Sequence, residues 1–204
     1  MIKNIVFDIG NVLVDYCWQD HIAHCGFQGE TAGRIGEAMM LSDTWLEVDR
    51  GVWTEEELVD GFIANDRDLE QEIRLVFSDL STLVRERSGT LPWLRSLKAE
   101  GYRIYYLSNF SQKVKKEAKK ELTFLEEMDG GIMSCTVHCI KPDPAIYQVL
   151  LDRYGLSAKE SVFLDDSLAN VQAAENIGMK GILVTSQEQA VQELKELLKG
   201  LKKQ

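Results

Sequence analysis

The amino-acid sequence predicts an α/β fold, in which helical crossovers join the strands of a parallel sheet and a helical segment is inserted after the first strand. Two observations predict this fold. Short β-rich runs alternate with helical patterns over most of the chain, which is typical of βαβ units. The alternation stops between residues 16 and 88, where the apolar residues follow only helical spacing.

The predicted elements follow one another in a regular order. The strands are IKNIVF (2–7), YRIYYL (102–107), GIMSCTV (131–137), SVFL (161–164) and GILVT (181–185). The helices are LPWLRSLKAE (91–100), SQKVKKEAKKELTFLEEM (111–128), DPAIYQVLLDRYG (143–155), SLANVQAAENIG (167–178) and SQEQAVQELKELLKG (186–200). Asp143 before Pro144 is typical of a helix start, and Gly155 and Gly178 are typical of helix ends.

The inserted segment contains two clear helical patterns. TEEELVDGFIAND (54–66) opens on a Thr54/Glu57 capping box, and LEQEIRLVFSDLSTLVRE (69–86) has apolar residues at helical spacing. A chain of 204 residues is long enough for one well-packed domain and a smaller unit. We therefore predict a core of residues 1–15 and 89–204 and an all-helical cap of residues 16–88.

Composition narrows the function classes. A net charge of -10 and a pI near 4.9 disfavour nucleic acid or an anionic membrane as the partner, because both are bound through clustered Lys and Arg. The sequence lacks an apolar run of about 18 residues and a secretory signal, so we expect a soluble cytoplasmic protein with reduced thiols. We expect a monomer or homodimer that acts on a small molecule.

Polar residues collect at the ends of the predicted strands. In open parallel sheets, ligands bind outside the carboxyl ends of the strands, so residues that follow the strands are expected to share one rim. Each of these residues has an ordinary explanation when taken alone, such as a helix cap or a turn. Together they place three carboxylates, a hydroxyl and amide pair and an amine at one edge: Asp8, Ser108, Asn109, Lys141, Asp165 and Asp166.

The electrostatics of this group point to a cation. Asp8, Asp165 and Asp166 would repel one another unless a hard cation such as Mg²⁺ lay between their oxygens. Mg²⁺ commonly shares its ligand shell with a substrate phosphate, and Ser108 and Lys141 would supply donors to a phosphoryl group. The sequence therefore predicts a phosphate-processing site.

The motifs FDIGNVL, LSN, KPDPAIY and FLDDSLANV resemble, in order, the four motifs of the haloacid dehalogenase-like (HAD) hydrolase superfamily. The resemblance covers the whole chain and implies a Rossmann-like core with helices on both faces and a helical cap inserted after the first motif. The motifs, with DRGVWTEEEL in the cap, are most similar to the subgroup that contains bacterial α-D-glucose-1-phosphate phosphatases. This implies an Mg²⁺-dependent phosphatase that acts on a small phosphoester.

The resemblance also implies roles for individual residues. Asp8 would be the nucleophile and an Mg²⁺ ligand, and Lys141 would neutralise charge on Asp8 and the transferring group. The implied Mg²⁺ ligands are Asp8, the backbone carbonyl of Gly10, Asp166 and Asp165, the last directly or through water. The implied phosphate-binding groups are Ser108, the backbone of Asn109, and Lys141, and the implied supporting residues are Asn11 and Asn170.

Gly10 departs from the superfamily pattern. Phosphatases of the superfamily usually have a second aspartate there, which protonates the leaving group and then activates water. General acid or base catalysis contributes a factor of roughly 10² to 10⁴. Three explanations are open: a leaving group that needs no proton, as in a hexose 1-phosphate; a substitute from the cap or a water oriented by Asn11; or different chemistry.

The different chemistry would be that of a 2-haloacid dehalogenase, which also lacks the second aspartate and uses no metal. The pair Asp165 and Asp166 argues against it, since without a cation both would repel an anionic substrate. A catalytically weak protein that binds phosphosugars as a sensor is a further alternative. The helical cap is expected to close over the site, with Trp18, His21, Trp45 and Arg50 as candidate contacts.

Overall fold

Seven strands form two sheets. The structure, a computed structural model, describes residues 1–201, so the last three residues of the predicted core, 202–204, lie outside the described part. The strands are β1 (Asn4–Phe7), β2 (Val14–Tyr16), β3 (Val84–Glu86), β4 (Arg103–Ser108), β5 (Gly130–Met133), β6 (Ser161–Asp165) and β7 (Lys180–Leu183). Five of them form a parallel sheet in the order β5-β4-β1-β6-β7, and β2 pairs with β3 in an antiparallel ribbon.

Residues 1–201 contain ten α-helices, five in the inserted segment and five in the rest of the chain. They are α1 (Trp18–His24), α2 (Gly29–Ala38), α3 (Thr44–Arg50), α4 (Glu55–Asn65), α5 (Glu70–Ser78), α6 (Thr90–Ala99), α7 (Gln112–Glu117), α8 (Pro144–Tyr154), α9 (Leu168–Asn176) and α10 (Gln187–Leu201). The predicted parallel sheet with helical crossovers is confirmed. No helix in the described part of the chain combines the length and hydropathy that crossing a membrane would take.

The two faces of the sheet are both covered. Successive side chains of a strand point to opposite faces, so Ile5 and Phe7 of β1 join one apolar cluster while Val6 joins another. Residues of α6 and α10 belong to the first cluster, and residues of α8 and α9 belong to the second. Strands buried on both faces require near-continuous apolar runs, which explains the sequence pattern of β1 and β6.

Local helix signals are confirmed where they were strongest. The carboxylate of Asp143 accepts the N–H of Ala145 at 2.9 Å, with Pro144 in the first turn. Gly155 ends α8 with φ of +61°, a left-handed conformation that glycine adopts without steric strain. Thr54 and Glu57 form the predicted capping box at the start of α4.

The helices α1 to α5 form the inserted segment, and their apolar faces pack on one another. The Trp45 and Phe62 rings lie 5.9 Å apart and nearly parallel, and Phe77 packs edge-on against Phe62 at 5.5 Å. Aromatic pairs of this kind contribute about 0.5 to 1.5 kcal/mol each beyond the area that they bury. We propose that residues 16–88 act as a cap domain on a core of 1–15 and 89–204.

The prediction that residues 16–88 contain only helices was wrong at the far end of the segment. The predicted helix over 69–86 ends at Ser78, and residues 84–86 form β3, which pairs with β2. Asp79 turns the chain, because its carboxylate accepts the N–H of Ser81 at 2.8 Å. A three-residue strand is too short to show a period of two, so the sequence pattern does not separate it from the last turns of a helix.

The predicted helix over 111–128 is interrupted, and the predicted strand over 131–137 is shorter. Residues 112–117 form α7 and residues 119–127 form a 3₁₀ segment, in which Leu122 has non-helical angles. Glu117 and Glu121 from this region accept the backbone N–H groups of Leu80 and Glu86. The interruption therefore lets carboxylates satisfy backbone donors beside β3, a long-range role that periodicity does not show.

Candidate active site

Three neighbouring strands and one loop bring the centre of the site together. Asp8 directly follows β1, Ser108 ends β4 and Asp165 ends β6. Lys141 reaches the same point from the loop before α8, with Nζ 2.9 Å from Oδ1 of Asp8 and 2.6 Å from Oδ2 of Asp165. All four side chains are buried. The carboxyl ends of β4, β1 and β6 meet at one edge because β1 lies between the other two.

The backbone of Lys141 is held by the side chain of Asn109. The amide of Asn109 donates to the carbonyl of Lys141 at 3.0 Å and accepts the N–H of Lys141 at 2.7 Å. The ammonium group also lies 5.3 Å from the centre of the Phe163 ring. The long side chain of Lys141 is thus fixed at its backbone by Asn109 and at its ammonium group by two carboxylates and an aromatic ring.

Asp165 is fully hydrogen-bonded from the protein side. Besides Lys141, it accepts the N–H of Ser167 at 2.8 Å, and the amide of Asn170 lies 3.0 and 3.1 Å from its two oxygens. Both oxygens are therefore already used within the protein. Because these hydrogen bonds hold the Asp165 carboxylate in place, Asp165 in turn fixes the position of the Lys141 ammonium group.

Asp166 lies at the exposed side of the same edge. Its Oδ2 accepts a hydrogen bond of 2.9 Å from the amide of Asn11, which joins the loop after β1 to the loop after β6. Asn11 has φ of +53°, a left-handed conformation that Asn tolerates better than most residues. Its amide oxygen accepts the N–H of Tyr16 at 3.3 Å. The loop that contains Gly10 is therefore closed on itself and tied to Asp166.

Burial and charge act in opposite directions on Asp8. Burial raises its pKa from 3.8 to about 7; Lys141 opposes this rise, and Asp165 adds to it. Burial alone would lower the pKa of Lys141, but the two carboxylates raise it above its ordinary value. Lys141 therefore stays protonated, and the ionised form of Asp8 depends on positive charge beside it.

The carboxylates can be tested for their fit to a divalent cation. One oxygen from each of Asp8, Asp165 and Asp166 lies within 4.8 Å of the other two, and Lys141 offers a single positive charge against the three. Within the described residues, Oδ2 of Asp8 and Oδ1 of Asp166 accept no hydrogen bond. Mg²⁺ prefers oxygen ligands, so the arrangement fits this ion, held by Asp8 and Asp166.

A cavity of about 200 Å³ opens from this edge of the sheet towards the inserted helices. Asp8, Gly10, Asn11, Asn109 and Asp166 line its floor. Its wall is mostly apolar and comes from both the inserted segment and the core residues after β4: Met40, Trp45, Leu83, Val84, Phe110 and Val114. The volume suits a small molecule, and the wall excludes water from part of it.

Three polar side chains interrupt the apolar wall, Tyr16, Asp49 and Ser111. The buried hydroxyl of Tyr16 has no hydrogen-bond partner within residues 1–201. Burial, and then the Asp49 charge, raise the pKa of Tyr16 well above its ordinary value. The pKa of Asp49 rises from 3.8 to about 7, because of burial first and then the Asp8 charge, with Lys141 in opposition. Because its own pKa is raised, the Tyr16 hydroxyl stays protonated at neutral pH and can donate a hydrogen bond.

The buried hydroxyl of Ser108 has no partner at good hydrogen-bond geometry within the described residues, although it lies close enough to the Asp8 carboxyl to lower the pKa of that group. An unpaired buried hydroxyl costs about 1 to 3 kcal/mol, so it marks a position where another polar group is expected. An oxygen of a bound phosphoryl group would supply that partner.

A model of the haloacid dehalogenase-like hydrolase family matches residues 2–178 of the chain, which is most of its length. The chain belongs to this family. The predicted superfamily, the Rossmann-like α/β fold and the classification of the protein as a hydrolase are thereby confirmed.

Relatives of this hydrolase span nearly the whole chain. It is 27% identical over 203 residues to sesquiterpene phosphatase astK of Aspergillus oryzae, with 96% of each protein covered. It is 26% identical to flavin mononucleotide hydrolase 1 of Arabidopsis thaliana, over 95% of this chain and 76% of that protein. A HAD family enzyme of Bacteroides thetaiotaomicron, solved in complex with magnesium and inorganic phosphate, shares the fold at a TM-score of 0.71 and 22% identity, over 91% of this chain and 96% of the other.

The sequence suggested four residues of the inserted segment as candidate contacts with the substrate. Of these, Trp45 lines the cavity. The others have structural contacts. Trp18 packs on Gly36, and Arg50 pairs with Glu47 at 3.2 Å. His21 is buried, and its ring nitrogens lie 2.8 Å from the hydroxyl of Thr82 and 3.1 Å from the carbonyl of Val76. These three side chains therefore stabilise the inserted helices.

Sequence reasoning missed Asp49 and Tyr16. Both belong to the region that was read as cap, but neither follows a strand of the parallel sheet, so the rule that singled out Asp8 and Asp165 does not find them. One signal was present in the sequence: Asp49 stands directly before Arg50 and Gly51, within the DRGVWTEEEL segment that carried part of the subgroup resemblance.

Proposed function

We propose that the protein is an Mg²⁺-dependent phosphatase that hydrolyses a small phosphorylated metabolite through a phosphoaspartate at Asp8. One observation carries the proposal: Asp8, Asp165 and Asp166 crowd together, and the single ammonium group of Lys141 contacts only the first two. Such a group needs further positive charge before a phosphate dianion can approach. The names of the relatives, two of which hydrolyse phosphoesters by name, support the same reaction class.

Each residue has a proposed role. Asp8, the carbonyl of Gly10 and Asp166 would hold Mg²⁺, with Asp165 in support through Lys141. The bound ion would neutralise phosphate charge and orient the phosphoryl group. Ser108, the backbone of Asn109, and Lys141 would bind the phosphoryl oxygens, while Asn11 and Asn170 position Asp166 and Asp165 through the hydrogen bonds described above.

Asp8 is suited to attack phosphorus. Its Oδ1 accepts the N–H of Ile9 at 2.7 Å and lies 2.9 Å from Nζ of Lys141, which fixes the orientation of the carboxylate at the floor of the cavity. Attack forms a bond between a carboxylate oxygen and phosphorus, and the bond from phosphorus to the leaving oxygen breaks. Water then attacks phosphorus, inorganic phosphate leaves, and the carboxylate of Asp8 is restored.

We propose a sugar phosphate, such as a hexose 1-phosphate, as the substrate. The cavity of about 200 Å³ accepts a molecule of this class, with the Trp45 ring as an apolar surface. Gly10 agrees with an anomeric leaving group, which departs more easily than an alkyl alcohol. The subgroup to which the motifs are most similar also supports this substrate class.

A 2-haloacid dehalogenase is the competing reaction on the same fold. Its substrate is a carboxylate anion that would meet the carboxylates of Asp8 and Asp166 without a metal between them. The excess of carboxylates over cations at this edge therefore favours the phosphatase, as does the unpaired hydroxyl of Ser108, since a phosphoryl oxygen would accept its proton.

The test is phosphate release from sugar 1-phosphates, sugar 6-phosphates, nucleotides and an aryl phosphate, with Mg²⁺ or with a chelator. We expect release that needs Mg²⁺ and is lost in Asp8→Asn. Asp43→Asn is the matched control, because Asp43 is exposed at the start of α3 and its side chain makes no hydrogen bond or ion pair within the described residues.

If no ester releases phosphate, the proposal is wrong. Halide release from 2-chloropropionate in the presence of chelator would then identify a dehalogenase. Absence of both activities, with a thermal shift on adding glucose 1-phosphate, would identify a binding protein instead.

A further inference from the structure

We infer that Asp49, which the inserted helix α3 supplies, is the general acid and base that Gly10 cannot be. The inference rests on the proposed phosphatase function and names the group that moves the protons in it. It follows from three features of the structure: the composition of the cavity, the state of the Asp49 carboxyl and the way in which α3 is attached to the core.

The cavity offers few groups that can move a proton. Its ionisable lining residues are Asp8, Tyr16, Asp49 and Asp166. Asp8 is assigned to the attack on phosphorus, and Asp166 lies at the proposed cation. The hydroxyl of Tyr16 stays protonated near neutral pH, so it is not a base. Asp49 is the remaining carboxyl.

The carboxyl of Asp49 is not engaged elsewhere. Within the described residues, no hydrogen bond or ion pair of this side chain is present, whereas both oxygens of Asp165 are used. Its pKa of about 7 places both protonation states within reach at neutral pH, as acid and base catalysis in turn requires. Burial is the main cause of the raised pKa; the Asp8 charge adds to it and Lys141 opposes it. Tyr16 and Cys135 are the other titratable groups that interact with Asp49.

The backbone around Asp49 is tied to the core on the side of the site. Ser134, directly after β5, donates its hydroxyl hydrogen to the carbonyl of Asp49 and accepts the N–H of Phe110 at 2.9 Å. One hydroxyl therefore connects Asp49 to the loop that begins with Ser108 and Asn109. His138 also contacts the carbonyl of Arg50, with Nδ1 at 3.1 Å.

Gly51 brings the end of α3 against the core. It has φ of +69°, and a Cβ there would lie 2.8 Å from Cβ of Cys135, so a larger residue would push the helix away. The end of α3 is thus fixed on the core even though the helix belongs to the insertion. Fixed placement is what a proton-transfer group needs, since it must lie within hydrogen-bond reach of the leaving oxygen.

The proton balance is complete. While Asp8 attacks phosphorus, the electron pair of the breaking bond goes to the leaving oxygen, which takes the proton of the Asp49 carboxylic acid and departs as an alcohol. In the second step the Asp49 carboxylate takes a proton from water, whose oxygen bonds to phosphorus. The bond from phosphorus to Asp8 breaks, its electron pair returns to Asp8, and Asp49 is protonated again.

The experiment compares wild type with Asp49→Asn, Asp49→Glu and Asp43→Asn on glucose 6-phosphate and 4-nitrophenyl phosphate, with Mg²⁺ present. We expect Asp49→Asn to lower kcat on glucose 6-phosphate by about 10²-fold or more, the range for a lost acid or base. We expect Asp49→Glu to recover part of the activity and Asp43→Asn to match wild type. Thermal unfolding checks that each variant is folded.

The aryl ester separates proton transfer from binding. Nitrophenolate leaves without a proton, so Asp49→Asn should release about one equivalent in a rapid burst and then turn over slowly, with the phosphorylated enzyme visible by mass spectrometry. If Asp49→Asn raises KM with unchanged kcat, or keeps wild-type kcat on both esters, Asp49 is not the general acid and base. The proposed phosphatase function would be unaffected by that result. Absence of phosphate release from wild type with every ester of the first screen, sugar 1-phosphates included, would instead overturn the proposed function, and this inference with it.

Discussion

The two sides of the cavity differ in how far their polar groups are satisfied. On the core side, the ammonium group of Lys141 contacts two carboxylates, and Asp165 accepts hydrogen bonds from three residues. On the side of the inserted helices, the Tyr16 hydroxyl and the Asp49 carboxyl have no hydrogen-bond partner in the part of the chain that the structure describes. Apart from the Ser108 hydroxyl and the free oxygens of Asp8 and Asp166, the polar groups of the core side are satisfied without a substrate, whereas those of the other side are not.

This difference separates two tasks. A group that stabilises charge in a transition state is most effective when it is already fixed, because then nothing has to reorganise during the reaction. Groups that recognise a substrate can remain unpaired, since the substrate completes their hydrogen bonds. We therefore expect changes on the core side to affect both stability and reaction, and changes on the other side to affect the reaction with little loss of stability.

The largest expected effect is that of Lys141→Met. Removing the ammonium group leaves Asp8 and Asp165 buried side by side without a counter-charge, and breaking a buried ion pair in this way costs about 3 to 5 kcal/mol. Urea unfolding at neutral pH should show this loss, and phosphate release should fall to background.

Lys3→Met is the control for that substitution, because the Lys3 and Glu160 pair lies at the surface, with the Lys3 side chain 58% exposed. We expect its unfolding midpoint to stay close to that of wild type. Equal, small losses in both variants would show that the core side is not preorganised by Lys141, and the contrast between the two sides of the cavity would fail.

The next effect is stabilisation by Mg²⁺. An ion that binds only the folded protein at about 100 times its Kd stabilises it by about 2.7 kcal/mol. We expect wild type and Asp43→Asn to show a shift of this size in urea unfolding, and Asp166→Asn to lose most of it. An unchanged Mg²⁺ effect in Asp166→Asn would remove Asp166 from the proposed ligands and shift the assignment towards Asp165.

The site residues on the core side of the cavity could be predicted from the sequence, because they follow strands of the parallel sheet. Asp8, Ser108 and Asp165 stand at the ends of short apolar runs, and the geometry of a parallel sheet then brings them to one edge. The sequence did not show how Lys141 is held, since the Asn109 side chain that brackets it lies 32 residues away in the chain. Asn109 was expected to act through its backbone instead.

The cavity-lining residues on the side of the inserted helices could not be predicted in this way, because helix packing decides which residues of a helix face a cavity. Trp45 and Asp49 lie one helical turn apart on α3, and both line the cavity, while Arg50 beside them turns to Glu47. The sequence periodicity of a seven-residue helix does not select among these faces. The strand β3 was missed for a related reason, since three residues paired with β2 leave no periodic signal.

The smallest expected effect on stability is that of Tyr16→Phe, and its sign differs from that of a matched change in the core. The Tyr16 hydroxyl is buried without a partner, so its removal relieves an unsatisfied group, and we expect stability to stay the same or rise by about 1 kcal/mol. If the substrate completes that hydrogen bond, KM should rise about 2- to 10-fold with kcat nearly unchanged. Thermal unfolding and steady-state kinetics on one preparation measure both.

Tyr147→Phe is the matched control, because the buried Tyr147 donates its hydroxyl hydrogen to the carbonyl of Asn170 at 2.9 Å. Its removal leaves that carbonyl with one partner fewer, so we expect a loss of about 0.5 to 1.5 kcal/mol. If Tyr16→Phe raises the free energy of unfolding and Tyr147→Phe lowers it, the unpaired Tyr16 hydroxyl destabilises the free protein. Together with a raised KM in Tyr16→Phe, this would show that the hydroxyl serves substrate binding. Equal losses of stability in the two variants would mean that Tyr16 has a structural role. Among residues 1–201, Asp49 would then be the one group on the side of the inserted helices that is left for the substrate to pair with.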